Sequence, residues 1–523
     1  MTNRDDRSTR REVLTRGGAL ALLASGATGA LGAAARAAIA AQPRRGGTLR
    51  VALNDGGAGD TLSPWNNPTF SSGARAAQVY ERLFTYDHTY RAAPRLAVSA
   101  EPNKDSTVWR LKLRRNVHFH SGRPLTADDV LYSLRYVANP ANKAESMSRI
   151  EPIDLRASRK VSQHEIELHL KRPIGDLPGL LADRATWIAP AGKTDFAKRP
   201  DGTGPFEFVS WQPGVRAQFK RNPSYWGVGP YVDGLQLLFI PDETARVNAL
   251  LGNQVDEITY LSFSQAKALR SNAAIQIIQT SQGNTNPFYV QIDSAEFRDS
   301  RVRQALRLAV DREAMVRNVE VGFGSVGNDL IGRGFPSYNA GLPQRRYDPE
   351  KAKSLLKAAG HDSLRIVLPS SDALPGMIEA ATAWKQQAKA AGIDVVVQRL
   401  DGGSYFANNK YLKVPSYQTN WTGPFESMAA DALLKNSPYN ETHWYSTSWG
   451  SSFRKAQAIS DRARRVAAYK DLQVPLWKSG GYIVYAFYNT IDAASSKVHG
   501  ILPDPAMAFA NLGAFDFRSH WLA

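Results

Sequence analysis

Residues 108–137 read VWRLKLRRNVHFHSGRPLTADDVLYSLRYV, and the fold turns on how this stretch changes period half-way. Trp109, Leu111 and Leu113 alternate with Arg110, Lys112 and Arg114. A period of two marks a strand with one buried face. Val117, His118 and Phe119 follow, and Ser121-Gly122 supplies a turn. Thr126 then stands three positions before Asp129, the spacing of a capping box at a helix start. Val130, Leu134 and Val137, with Leu131 beside them, recur at helical spacing.

Working outward, the bulk properties set limits. The chain has 523 residues, enough for two to four domains of ordinary size. Hydrophobic residues are 43% and charged residues 22%, the balance of a folded protein. There is no cysteine, which excludes disulfides, thiolate metal sites, a thiol nucleophile and a lipidated cysteine. The formal charge is +17, but Lys and Arg are scattered through periodic elements and form no long run. A solvated basic surface accounts for this better than a nucleic-acid site.

At the start of the chain, Thr9-Arg10-Arg11-Glu12-Val13-Leu14 resembles the twin-arginine export motif. An uncharged Gly- and Ala-rich stretch, Gly17–Ala35, follows, and Ala38-Ile39-Ala40 offers a small-x-small cleavage site. The stretch is too weakly hydrophobic and too Gly-broken for a membrane anchor. The expectation is a 1–40 signal peptide and a soluble, non-lipidated periplasmic protein.

The order of the landmarks WxLxLRxxVxFxxGxPLTAxDVxxSL in 109–134 is similar to the signature of the family 5 extracytoplasmic solute-binding proteins. These are the peptide, opine and nickel receptors of ABC importers. Other landmarks keep the same order. They are VYERLF at 79–84, GTGPF at 202–206, NPSYW at 222–226, RVRQAL with AVDR at 301–312, WTG at 421–423 and KVHGI at 497–501. The resemblance runs from about Gly46 to Leu512. It implies an α/β, bilobal periplasmic binding protein fold, type II-like, with an extra subdomain inserted in lobe I. The implied division is lobe I at 41–84, the insert at 85–203, lobe I again at 204–283, lobe II at 284–489 and lobe I at 490–523.

Local chemistry fills in elements along the way. A helix is expected at Ala74–Phe84, a strand at Glu165–Leu170, and one helix from Asp299 to Val319. Asp348, Pro349 and Gly360 frame a helix between them. Leu364–Pro369, a helix over about Leu374–Ala391, and Ile393–Leu400 make a β-α-β unit. The resemblance also implies a helix at Ala463–Leu472 before a closing strand at Tyr482–Phe487. The GTGP loop is not a phosphate cradle, because Pro205 and the strand after it leave no helix N-terminus. His118 and His120 sit two apart; a structural pair beside Phe119 is favoured over a metal pair.

For the ligand, the resemblance points to the cleft. Tyr417-Gln418-Thr419-Asn420-Trp421-Thr422-Gly423 resembles the WTG loop of dipeptide and oligopeptide receptors, where a following aspartate pairs with the peptide ammonium. Here the loop continues Pro424-Phe425-Glu426, so Glu426 is the candidate for that charge role. Trp421, Thr422 and Gly423 are candidate wall residues, and Trp65 and Asn66 come from the loop after the first strand. Asn284 and Thr285 lie on the crossover and are ligand contacts or a satisfied turn. Trp444 and Trp449 read as structural. The expected role is binding a small peptide or similar solute as a monomer, then docking to an ABC permease whose ATPase is a separate chain. An opine, polyamine, oligosaccharide or metal chelate is the alternative guest. No Walker motif, GxSxG, HExxH or close His/Asp/Glu group is present, so neither a hydrolase nor a cofactor is expected.

Overall fold

The computed structural model describes residues 42–523 except 57–59, 67–68, 88, 145–146, 183–185, 402–404, 407–409 and 502–514. The expected signal peptide lies outside the described residues. No helix among the described residues is long and apolar enough to cross a membrane.

The chain is bilobal and mixed α/β. The first lobe is built on an eight-stranded sheet. Its opening strand, Thr48–Leu53, runs parallel to Gly234–Phe239, with Leu49 opposite Leu235 and Val51 opposite Leu237. All four side chains are fully buried. Arg216–Arg221 and Phe206–Gln212 extend one edge, while Glu257–Ile258, Ala486–Ser495 and Ile275–Asn284 extend the other. The last two are antiparallel and carry the chain between the lobes. Their register is regular from Ile275–Ser495 to Thr280–Thr490 and then shifts to Asn284–Tyr488.

The alternating stretch forms the strand Val108–Leu113, as its period demands. It sits inside a separate four-stranded antiparallel sheet, in the order 97–102, 108–113, 165–170, 153–162. Trp109 faces Leu168 and Leu111 faces Ile166, all in the core. The helix Ala127–Ala138 covers that sheet with Val130, Leu131, Leu134 and Val137. Its start is fixed by Asp129, whose carboxylate accepts from the Thr126 N–H at 2.8 Å and from the Thr126 hydroxyl at 3.1 Å. Asp129 also accepts from the Ala191 N–H at 2.8 Å and pairs with Arg123. One buried carboxylate therefore ties the cap, Arg123 and the turn at Ala191 together.

The GTGP loop is a close-packing device. Gly204 donates its N–H to the Val79 carbonyl at 2.8 Å. A Cβ on Gly202 would meet Val79 O at 2.0 Å, and one on Gly204 would meet Gln78 O at 2.3 Å. The loop presses on the last turn of a helix, which explains the glycines without any phosphate.

The second lobe pairs Leu364–Ser370 in parallel with Ile393–Arg399, joined by the crossover helix Met377–Ala388. A three-stranded sheet, Ser416–Gln418, Phe288–Val290 and Tyr482–Ile483, lies beside it. Four elements differ from expectation, one being the Tyr482–Phe487 strand, which is split between Tyr482–Ile483 and Ala486–Ser495 in different sheets. The first helix is Phe70–Val79, because Thr69 and Ser72 form a reciprocal capping box there. The chain turns extended at Tyr80, so Leu83 and Phe84 are buried from a loop and a strand instead. The Asp299–Val319 segment divides into Ser300–Leu308 and Arg312–Asn318, since Asp311 caps a fresh helix by accepting from Ala314 N–H at 2.9 Å. The expected Ala463–Leu472 helix runs on as Arg462–Ser479, through Pro475. Arg307, fully buried, donates to the Trp477 and Tyr482 carbonyls at 3.0 and 3.1 Å and so satisfies the region where that helix ends.

Candidate ligand site

The loop after Ser416–Gln418 is held on two sides. Trp421 and Thr285 exchange both backbone hydrogen bonds at 2.9 Å, which pins the loop to the crossover. Behind it lies Glu441, fully buried. Its carboxylate accepts from Thr419 Oγ1, from Tyr411 Oη at 2.7 Å, from Tyr482 Oη at 2.7 Å and from Trp421 Nε1 at 2.9 Å. Burial raises the Glu441 pKa, and these donors oppose the rise. The Trp421 ring is half-exposed and meets Tyr439 edge-on at 6.4 Å.

Gly423, at φ +93°, then turns the chain, and Phe425–Ala432 forms a helix. Phe425 turns inward against Trp449 and Tyr469. Glu426, next to it, lines a cavity of about 700 Å³. Its Oε2 is buried and has no hydrogen-bond partner, and burial pushes its carboxyl above the ordinary carboxylate range. A buried oxygen left without a donor is costly, and the Ser337 hydroxyl only partly opposes the effect of burial on this carboxyl.

The cavity lies between the inserted subdomain and the second lobe. Tyr86, Tyr90, Arg149 and Asp176 line it from one side, and Glu426, Asp431 and Arg465 from the other. Tyr86 and Tyr90 stack at 4.4 Å, and Tyr90 meets Phe335 edge-on at 4.4 Å. Direct contacts cross the gap. Arg149 reaches Asp431 at 2.8 Å, and Arg465 reaches Asp176 at 3.0 Å. Gly175 donates its N–H to the Gln457 carbonyl at 2.8 Å, and the Ser106 and Ser460 hydroxyls meet at 2.7 Å. A Cβ on Gly175 would stand 2.1 Å from the Ile459 carbonyl oxygen, so the approach requires glycine.

A bilobal fold with two crossovers, an inserted subdomain and an aromatic, charged cavity between the lobes suits capture of a solute. The sequence model of bacterial extracellular solute-binding proteins, family 5 (middle region), matches residues 91–442. The chain belongs to this family. It is 25% identical over 470 residues to the glutathione-binding protein GsiB of Pectobacterium atrosepticum, covering 86% of this chain and 91% of the relative. It is 27% identical over 511 residues to the di/tripeptide-binding protein 2 of Pseudomonas aeruginosa, covering 90% and 94%. Among solved structures, the periplasmic binding protein DppA of Helicobacter pylori, in complex with the peptide STSA, superposes with a TM-score of 0.76 at 21% identity, covering 92% of this chain and 98% of that one. That likeness is one of fold.

Within this family 5 protein the candidate residues fall into two groups. Trp421, Thr422, Gly423 and Glu426 follow one another along the loop between crossover and cavity, and of these Glu426 lines the cavity itself. The others are engaged by the protein. Trp65 is fully buried, stacks on Tyr136 at 4.3 Å and donates its Nε1–H to the Trp187 carbonyl at 2.9 Å. Its ring is core, which corrects the expectation that it faces a ligand. Asn66 donates to the Asn142 and Lys143 carbonyls at 3.2 and 3.1 Å, anchoring the insert. Asn284 donates to Thr490 Oγ1 at 2.8 Å and Thr285 to the Ala486 carbonyl at 2.7 Å, so their side chains stitch the two crossovers. His120 is half-buried against the Gly204 carbonyl at 3.0 Å, whereas His118 is exposed. No group of three or more His, Cys, Asp or Glu among the described residues could hold a metal ion.

Sequence reading missed Glu441, Tyr86, Tyr90 and the cations of the cavity. Glu441 sits in an ordinary-looking Tyr-Asn-Glu-Thr-His run, and only the meeting of residues 411, 419, 421 and 482 around it reveals its role.

Proposed function

We propose that this protein captures a peptide or peptide-like solute between its lobes and delivers it to an ABC permease driven by separate ATPase chains. The observation that carries this reading is the buried, donor-less Oε2 of Glu426 on the wall of an interlobe cavity. A peptide brings an α-ammonium, which supplies the missing donor and a charge partner together. The names of the glutathione- and di/tripeptide-binding relatives support the same class of guest. Trp421, Thr422 and Gly423 lie on the loop that leads to it. Lobe I comprises 41–84, 204–283 and 490–523, the insert 85–203 and lobe II 284–489. Export by the twin-arginine route places the mature protein in the periplasm, unlipidated.

A thermal-shift screen tests the guest, because a ligand that binds only the folded state raises the melting temperature. Di- and tripeptides should shift the protein, and Glu426→Gln should remove most of that shift. A shift only with opines, polyamines, oligosaccharides or nickel chelates would overturn the peptide assignment. Replacing Arg10 and Arg11 with Lys should trap the protein in the cytoplasm on cell fractionation.

A further inference from the structure

The charges around the cavity divide into paired and unpaired ones. Six cations line it against three carboxylates. Arg149 pairs with Asp431 and Arg465 with Asp176, while Arg172 turns to Glu151 at 2.8 Å. Lys435, Arg454 and Arg462 have no carboxylate within ion-pair reach among the described residues; Arg462 makes only a 3.5 Å contact with the Thr89 carbonyl. The one lining carboxylate left is Glu426, which burial favours in its neutral form. The first turn of the Thr447–Gln457 helix also borders the cavity through Ser446 and Thr447, and its dipole adds positive potential. The wall is therefore net cationic around a single acceptor.

We propose that this cavity selects guests of net negative charge: peptides with one α-ammonium for Glu426 and at least two carboxylates for Lys435, Arg454 and Arg462. The inference rests on the reading of this cavity as the ligand site. A neutral dipeptide brings one carboxylate and leaves the rest of the cationic side without a partner. A basic side chain meets like charge there, which costs affinity in a partly dehydrated space. Lys435 and Arg454 are exposed and Arg462 is half-buried, so their effect is shared, screened by salt and modest for each one.

The test is calorimetric titration of the purified protein with three tripeptides of equal length, Ala-Glu-Ala, Ala-Ala-Ala and Ala-Lys-Ala. The acidic peptide should bind about threefold more tightly than the neutral one, because its one extra carboxylate adds a single exposed ion pair. The basic peptide should bind weakest. The preference should collapse in the triple variant Lys435→Gln, Arg454→Gln, Arg462→Gln and in high salt, with Ala-Ala-Ala, which has a single carboxylate, losing less affinity than Ala-Glu-Ala. Equal affinities for the three peptides, or a preference that survives in the triple variant, would overturn the proposal and leave the peptide reading standing. Succinate separates the two ideas. If no tripeptide binds but succinate does, and the triple variant loses it, anion selection holds and the peptide reading falls. If nothing binds, both fall. A melting curve of the triple variant confirms that it folds.

Discussion

Two glutamates of the second lobe, fifteen positions apart in sequence, have opposite fates. Glu441 is sealed behind Trp421 and takes four hydrogen bonds from the protein. Glu426 is equally withheld from solvent at its Oε2 but finds no donor there. Burial raises both pKa values. On the function proposed above, the contrast separates a carboxylate answered by its own fold from one open to a guest.

Experiments can break this contrast, beginning with the largest effect. Glu441→Ala removes the acceptor shared by four donors, two of them (Thr419 and Tyr482) buried, and each bond lost costs on the order of 1 kcal/mol. Stability should fall by about 4 kcal/mol, read by urea unfolding, and the Trp421 loop should loosen. A drop below 1 kcal/mol would show that Glu441 is no anchor. Glu426→Gln should do the reverse. Stability should hold or rise, since a costly buried acid is gone, while affinity for an ammonium-bearing peptide falls by tenfold or more. Loss of fold without a specific loss of binding would erase the distinction.

The pH dependence sharpens the comparison. The raised pKa of Glu426 means that the folded protein favours the neutral carboxyl. Its contribution to stability is full below the ordinary carboxylate pKa and declines as pH rises toward the raised value. An ammonium guest needs the ionised form, so peptide affinity should increase over that same rise. A flat affinity profile in the wild type, matched by Glu426→Gln, would remove the residue from the site. Glu320 provides a third case close to the crossover, buried and pushed up to about 8 beside Tyr485 and Tyr488. By the same sign, it weakens the fold as pH climbs from about 4.5 to about 8. Glu320→Gln should raise the melting temperature at pH 8 and change it little at pH 5.

The smallest expected effects lie in the contacts across the cavity. Gly175→Ala should hold the insert away from Ile459, giving a larger radius of gyration in the presence of ligand and a weaker Kd. Asp431→Asn removes only a partly exposed pair with Arg149 and should cost less than about 1 kcal/mol. A larger loss would mean that this pair, rather than the ligand, holds the lobes together.

Much of the architecture was legible along the chain because the forces behind it are local. The alternation in 108–113 selects a strand, and Thr126 with Asp129 starts a helix, whatever surrounds them. Asp348, Pro349 and Gly360 bracket a helix for the same reason. The order of such landmarks was enough to place the chain in its family. Local signals also misled where two of them competed: the apolar stripe at Val79–Phe84 suggested a helix, but the box at Thr69 had already set the frame. The site followed other rules. Trp65 looked like a loop aromatic until Tyr136 and Phe196 closed over it. The cavity joins residues from 86 to 469, and its charge depends on which cations find partners across the lobes. Composition supplied the excess of positive charge. Only the tertiary structure decided where that charge stays unpaired, because pairing is a matter of distance in space and not of position in the chain.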